Sequence, residues 1–259
     1  MFMLWRFRII AFYTIISFIS LLFFIGICIP LRFIKTSYSF RYKICYVYSH
    51  IFIYLLWGVV GIKYGVHGLE KLPAKGPYLV LSNHQSFWEN FFMQVIIPEH
   101  SWVIKRELFN IPVFGWGLNI VEPIAVDRSD TSSVVQILNE GQKKLNQGLP
   151  IIIFPESTRI KVDKTVGFKP SAAKLALAAK VPVVLIAHNA GTLWPKGVWF
   201  KEPGLITVKV LEVIPPEEIL QHDARSLTNY IQDRINTEKN LLVGKARTDA
   251  ELHSKATVN

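Results

Sequence analysis

Residues Ile9 to Leu31 contain no charged side chain. As a helix this run is about 34 Å long at 1.5 Å per residue, enough to cross a hydrocarbon core. A second uncharged run extends from Ile44 to Ile62, with His50 as its only histidine. A cleaved signal peptide fits poorly: the first run is longer than an h-region, and no small-x-small cleavage site follows it. Basic residues flank each run. Arg6 and Arg8 precede the first, Arg32, Lys35, Arg41 and Lys43 lie between the two, and Lys63, Lys71 and Lys75 follow. Two true spans would put the most basic linker outside, against the positive-inside rule. A two-helix hairpin in one leaflet keeps all three flanks on the cytoplasmic side and is the expected arrangement, although one span plus an interfacial helix also fits the charges.

The whole chain shares this character. Hydrophobic residues are 51% of its 259 residues, charged residues only 19%, and the net charge is +10. Intrinsic disorder is excluded by the hydrophobicity. A disulfide scaffold is excluded by two cysteines, Cys28 and Cys45, both in the apolar N-terminal part. A basic, apolar protein suits an anionic membrane surface or an acidic substrate. Nucleic acid is not the expected partner, because the basic residues gather around the apolar segments.

From Lys63 onward the pattern is that of an α/β domain. Short apolar runs at Tyr78–Leu81, Trp102–Ile104, Pro123–Val126, Ile151–Phe154, Val183–Ile186 and Leu205–Val213 read as strands. Asp130 is expected to cap a helix carrying Val134, Leu138, Gly141 and Leu145 on one face. The Ala-rich segment Ser171–Lys180 reads as another helix, and Leu227, Ile231 and Ile235 mark a last one. The expected fold is α/β: a mixed, partly parallel sheet flanked by helices, preceded by the N-terminal membrane hairpin. The division is 1–62 for the helical pair, 63–243 for the α/β domain, and 244–259 for a loose polar tail.

Several chemistries lack their motifs. There is no G-x-S-x-G elbow, no H-E-x-x-H or paired-cysteine metal pattern, no Walker loop and no G-x-G-x-x-G. What remains is Ser82-Asn83-His84-Gln85-Ser86-Phe87-Trp88-Glu89, directly after the strand that ends near Leu81. Polar residues in a βα turn occupy the usual functional position of such sheets. His84 and Glu89 are five apart, about 140° around an ideal helix, so they meet only if His84 stays in the loop and Glu89 opens the helix. Glu89 would then orient one ring nitrogen and leave the other as a base, with the nucleophile supplied by the substrate. Ser86-x-x-Glu89 is equally a capping box, which alone would account for Glu89.

A second cluster, Phe154-Pro155-Glu156-Ser157-Thr158-Arg159, also follows a buried strand. Arg159 can grip phosphate with its fork, and Lys105-Arg106 can add charge at the same sheet edge. Arg128 follows the next strand, with Asp127 beside it. Pro112, Gly115 and Gly117, with Phe109, Phe114 and Trp116, form an apolar loop that either packs in the core or lines a lipid entrance.

Taken together, these segments resemble the 1-acylglycerol-3-phosphate acyltransferase family. Asn83 to Glu89 is similar to its N-H-x-S-x-x-D block. Lys105 to Gly117, continuing to Asp127-Arg128, is similar to the second block. Phe154 to Arg159 resembles F-P-E-G-T-R, and Val181-Pro182-Val183 resembles V-P-[VI]. The resemblance covers about residues 63–215, with Glu89 in place of the commoner Asp and Ser157 in place of Gly. If that turn needs a positive φ, Ser157 strains it.

The resemblance implies that His84, oriented by Glu89, deprotonates the sn-2 hydroxyl of a lysophospholipid acceptor. The donor would be acyl-CoA or an acidic acyl-carrier protein, used as substrate, with no cofactor and no metal. Lys105 and Arg159 would hold the phosphate with help from Arg128, alongside Ser157 and Thr158, and Glu156 would orient Arg159 or the acceptor. The expected product is phosphatidic acid, made at the cytoplasmic face of the inner membrane if the source is bacterial. Acylation of another lysophospholipid, or a catalytically silent membrane-associated protein, are the alternatives.

Overall fold

The computed structural model describes residues 2–111, 114–127, 133–199 and 201–256. Helix α1 (Phe2–Phe23) continues through a π-helical turn, Phe24–Cys28, into the short α2 (Ile29–Leu31). Helix α3 (Tyr38–Leu55) ends in a second π-helical turn, Leu56–Val60. There follow β1 (Ile62–His67), β2 (Leu79–Ser82), α4 (Trp88–Ile96), β3 (Ser101–Lys105), α5 (Phe114–Leu118), β4 (Ile124–Val126) and α6 (Ser133–Asn146). The chain closes with β5 (Ile151–Ile153), α7 (Ser171–Ala179), β6 (Val183–His188), α8 (Ala190–Leu193), β7 (Gly204–Ile214), α9 (Pro216–Ile219) and α10 (Ala224–Ala256).

The seven strands form one sheet in the order β1-β7-β6-β2-β5-β3-β4. Every neighbouring pair is parallel except β6 with β7. Strand β2 sits near the middle, with Leu79 opposite Ile151 of β5 and Val183 of β6. Side chains on one strand alternate between two cores, as the period of a strand requires. Val80, Ile152, Val184 and Ile186 join the core under α1, α3 and α4. Leu79, Leu81, Ile151, Ile153, Val183 and Leu185 join the opposite core under α6, α7 and α10. Helices therefore cover both faces, and the central strands read as unbroken apolar runs.

The N-terminal helices are part of this packing. Ile9, Phe12 and Ile16 of α1, with Phe52, Ile53, Leu56 and Val60 at the end of the second helix, are buried in the first core. Their outer surface remains apolar and exposed at Phe7, Ile10, Phe18, Leu22 and Trp57. Both segments, Trp5–Leu31 and Tyr38–Val60, are long and apolar enough to cross a membrane by length and composition. Yet α3 is tied to the α/β body at both ends. At its start Tyr42 Oη donates to Ile97 O at 2.7 Å, Ser39 Oγ to Glu99 at 2.7 Å, and Arg41 pairs with Glu122. At its finish Gly61 caps the π-helical turn at φ +86°, where a glycine is favoured, and the chain enters β1 directly.

Several boundaries differ from the sequence expectation. The second helix starts at Tyr38, not Ile44, because the Ser37 Oγ accepts from Phe40 N and caps it. Arg41 and Lys43 therefore sit within its first turns, and Ile62 begins a strand. Strand β1 was not expected: Ile-Lys-Tyr-Gly-Val-His lacks an apolar run because this edge strand is half-exposed. The apolar loop after Lys105 holds a short helix, α5, although Pro112 lies outside the described residues. So do Arg128 and the expected cap Asp130. The tail is not loose after Gly244, since α10 continues to Ala256. Its Ala, Lys, Glu, Arg and Leu residues favour helix, no proline interrupts them, and Arg247 pairs with Asp163.

Candidate active site

Strand β2 ends at Ser82, and the next residues are non-helical until α4 begins at Trp88. That geometry lets His84 and Glu89 meet. His84 Nδ1 lies 2.9 Å from Glu89 Oε1. The same oxygen accepts Gln85 N at 2.8 Å and Ser86 N at 2.7 Å, while Ser86 Oγ accepts Trp88 N at 3.1 Å. The capping box and the histidine contact are thus one arrangement, served by a single carboxylate oxygen. Burial opposes charge on Glu89, but the hydrogen bonds from His84 and Ser86 hold its carboxyl below the usual range. An ionised Glu89 only accepts, so Nδ1 carries the proton and the lone pair is on Nε2.

The imidazole is held from two further directions. Its ring stacks on Phe154, with centroids 4.2 Å apart and planes 9° from parallel. Its backbone is clamped by the segment after β5, since His84 N donates to Glu156 Oε2 at 3.0 Å and Ile160 N donates to His84 O at 2.7 Å. Glu156 is buried, and its carboxyl braces the histidine's backbone. Burial pushes its carboxyl up to about 7, against the lowering effects of His84 N–H and Lys239, and the charge of Glu89 adds to the rise.

His84 opens onto a cavity of about 730 Å³. Phe12, Ile16, Phe23 and Phe24 of the first helical segment form part of its wall, with Phe52 and Phe91, and with Leu108 and Leu118 from the segment after β3. Lys105, Ser157, Thr158 and Arg159 line the same space. Lys105 is half-exposed and already paired with Glu107 at 2.9 Å. Arg106 turns away, donating to Ala125 O at 3.2 Å. Ser157 adopts φ +62°, so the turn does demand the left-handed region that glycine would take without cost. The cavity wall is thus largely aromatic and aliphatic, with the histidine, Lys105, Arg159 and Lys196 in the same lining.

The acyltransferase family's profile matches residues 63–189. A 1-acyl-sn-glycerol-3-phosphate acyltransferase of Pseudomonas aeruginosa is 42% identical over 182 residues, 69% of this chain and 70% of that protein. This chain belongs to the acyltransferase family. The 1-acyl-sn-glycerol-3-phosphate acyltransferase alpha of Ovis aries is 30% identical over 180 residues, covering 68% of this chain and 63% of that one. The fold is that of the crystal structure of the 1-acyl-sn-glycerophosphate (LPA) acyltransferase PlsC from Thermotoga maritima. The TM-score is 0.75 at 22% identity, over 92% of this chain and 97% of that chain.

Other residues of this acyltransferase escaped the sequence. Asn83 Nδ2 donates to His188 O at 2.9 Å and its Oδ1 accepts His188 N at 3.0 Å, an amide clasp between β2 and β6. His188 Nε2 donates to Asn83 O at 2.9 Å and Nδ1 accepts Ala190 N at 3.3 Å, so the ring is neutral, and burial lowers its basicity. Gly191 brings α8 against the catalytic turn, because a Cβ there would come within 2.8 Å of Gln85 Cβ. Lys196 lines the cavity, and Lys201 is buried beside it with its ammonium 5.1 Å from the Trp194 ring centre. Burial, with the charge of Arg159, lowers Lys201 to about 8. Only a polar residue at the end of an apolar run, a signal close to the one at His84, marks His188 in the sequence.

Proposed function

We propose that the protein transfers a fatty acyl group from an acyl thioester to the sn-2 hydroxyl of lysophosphatidic acid, giving phosphatidic acid. The observation that carries this reading is the His84–Glu89 pair, with Nε2 left unbonded by any described residue on a cavity lined by both apolar side chains and Arg159. Nε2 takes the proton of the acceptor hydroxyl as its oxygen bonds to the thioester carbonyl carbon. Glu89 offsets the imidazolium charge that forms. When the tetrahedral intermediate collapses, the C–S bond breaks and the imidazolium returns the proton to the leaving thiolate. Arg159 and Lys105 suit the acceptor's phosphate, Arg159 by a two-pronged contact. The aromatic and aliphatic wall suits an acyl chain.

The helical pair supports catalysis at a lipid surface. Because α3 is bonded to the α/β body at its start and runs directly into β1 at its finish, both of its ends rest on that body. This favours a hairpin resting in one leaflet, with exposed Phe18, Leu22 and Trp57 toward lipid. On the bacterial reading, that leaflet faces the cytoplasm. A panel of acceptors tests the assignment: purified protein in detergent, given an acyl-CoA, should acylate lysophosphatidic acid faster than lysophosphatidylcholine or lysophosphatidylglycerol. Preference for a diester head group would instead indicate lysophospholipid remodelling.

A further inference from the structure

The segment that joins α8 to β7 is folded around a buried ammonium. Lys201 is 4% exposed. Its Nζ donates to Pro195 O at 3.3 Å and to Val198 O, and lies 5.1 Å from the Trp194 ring centre. An ammonium has three protons, and here two carbonyl oxygens and the face of an indole replace its water. The segment is fastened at further points. Glu202 N donates to Leu193 O at 3.2 Å across its base. Tyr13 Oη of α1 donates to Trp199 O at 3.0 Å, and Trp194 meets the Phe12 ring edge-on at 6.0 Å.

Lys196 and Gly197 lie between the two carbonyls that Lys201 holds. Gly197, at φ +79°, lets the chain turn there. Lys196 lines the same cavity as His84, Thr158 and Arg159. Lys105 also lines it but shares its ammonium with Glu107, whereas no carboxylate among the described residues pairs with Lys196. A phosphate monoester carries about −1.5 to −2 charge at pH 7, a diester only a single negative charge. A second uncompensated cation beside Arg159 therefore favours the monoester. In lysophosphatidic acid the phosphate hangs on the carbon next to the one that bears the reacting hydroxyl, so an acceptor at His84 keeps its phosphate in this cavity. The anionic groups of the donor stand a whole pantetheine arm away from the thioester.

We propose that Lys196 binds the acceptor's phosphate together with Arg159 and sets a preference for a monoester over a diester. Lys201 is the positioning residue, whose buried ammonium folds the segment so that Lys196 reaches the cavity. This rests on the reading of the cavity as the lysophosphatidic acid site.

The test is steady-state kinetics of the full-length protein in detergent, with an acyl-CoA as donor and lysophosphatidic acid or lysophosphatidylglycerol as acceptor. Lys196→Gln should raise the KM for lysophosphatidic acid about tenfold or more, the worth of one lost charge-assisted contact, with little change in kcat or in the KM for acyl-CoA. The KM for lysophosphatidylglycerol should rise less, and Lys196→Arg should stay close to wild type. Lys201→Met keeps the stem but releases both carbonyls. It should give the same split as Lys196→Gln, and the double variant should be no worse than either alone. Lys201→Gln retains a donor and should shift the same KM less, a graded effect readable even if Lys201→Met does not fold. An unchanged KM for lysophosphatidic acid in Lys196→Gln, or an equal rise for the donor or the diester, would overturn the role of Lys196. Losses that add in the double variant, or Lys201 variants that lose kcat on every substrate without the KM split, would overturn that of Lys201. Arg159→Ala is measured alongside. If it leaves the KM for lysophosphatidic acid unchanged, the phosphate reading of the cavity itself fails; if it raises that KM while Lys196→Gln does not, only the role of Lys196 falls.

Discussion

Glu89 Oε1 receives His84 Nδ1 at 2.9 Å together with the N–H groups of Gln85 and Ser86, so one oxygen both ties down the turn that leads into α4 and fixes the imidazole. Its partner Oε2 is buried with no hydrogen bond to a described residue. Glu89→Gln would keep an acceptor but place an amide N–H₂ in that dry space and leave the imidazolium uncompensated. A turnover loss in the general-base range, about 10²–10⁴-fold, is expected. Glu89→Asp should retain more activity than Glu89→Gln, since the charge survives on a stem one methylene shorter. Near-wild-type kcat for Glu89→Gln would reduce Glu89 to a helix cap.

Ser157 sits at φ +62° in the turn that carries Thr158 and Arg159 into the cavity. A left-handed conformation costs a non-glycine residue about 1–2 kcal/mol, and the extra freedom of glycine in the unfolded chain gives back about 0.4–1. Ser157→Gly should therefore raise stability by up to about 1.5 kcal/mol, and Ser157→Val should lower it. Chemical unfolding of both variants decides the matter, and a Ser157→Gly protein less stable than wild type would contradict the strain.

Short-range chemistry was legible in the sequence. The apolar runs at Tyr78–Leu81, Ile151–Phe154 and Val183–Ile186 announced β2, β5 and β6 because those strands are buried on both faces. His84 and Glu89 could be paired on paper because only a loop-to-helix transition separates them. Strand β1 was hidden, since a half-exposed edge strand needs no continuous apolar pattern. The bracing role of Glu156 was hidden because its partner, His84 N, is 72 positions away in the chain. Asn83 and His188 are 105 apart, and local spacing carries no trace of such a contact. The length of the last helix is hidden by its polar composition, although its residues are good helix formers.

Arg159 and Lys105 line the same cavity with unequal freedom, since Lys105 is half-exposed and shares its ammonium with Glu107. Arg159→Ala should raise the KM for lysophosphatidic acid more than that for the acyl donor. Losing a charge-assisted contact costs about 1.5–3 kcal/mol. Lys105→Ala should do the same more weakly, and Arg159→Lys should rescue poorly if the grip is two-pronged. Equal losses for donor and acceptor in steady-state kinetics would remove the phosphate assignment.

The helical hairpin can be tested by accessibility. Single cysteines near Arg6 and near Lys35, in a background lacking Cys28 and Cys45, should resist a membrane-impermeant thiol reagent added outside intact cells. Both should react once the cells are opened. Neither salt nor alkali should strip the protein, given the apolar outer faces of α1 and α3. Labelling near Lys35 from outside would show two spans and break the docking of Tyr42 and Ser39 on the α/β body.

The most direct measurement of the central claim is phosphatidic acid formation by purified wild-type and His84→Ala protein, with thermal unfolding recorded on both. His84 is held by Glu89, Phe154 and the Glu156 clamp, but only its Nε2 is available to the cavity. The variant should unfold at nearly the wild-type temperature while phosphatidic acid formation drops by at least about 10²-fold. Formation at an undiminished rate by a folded His84→Ala protein would contradict the account.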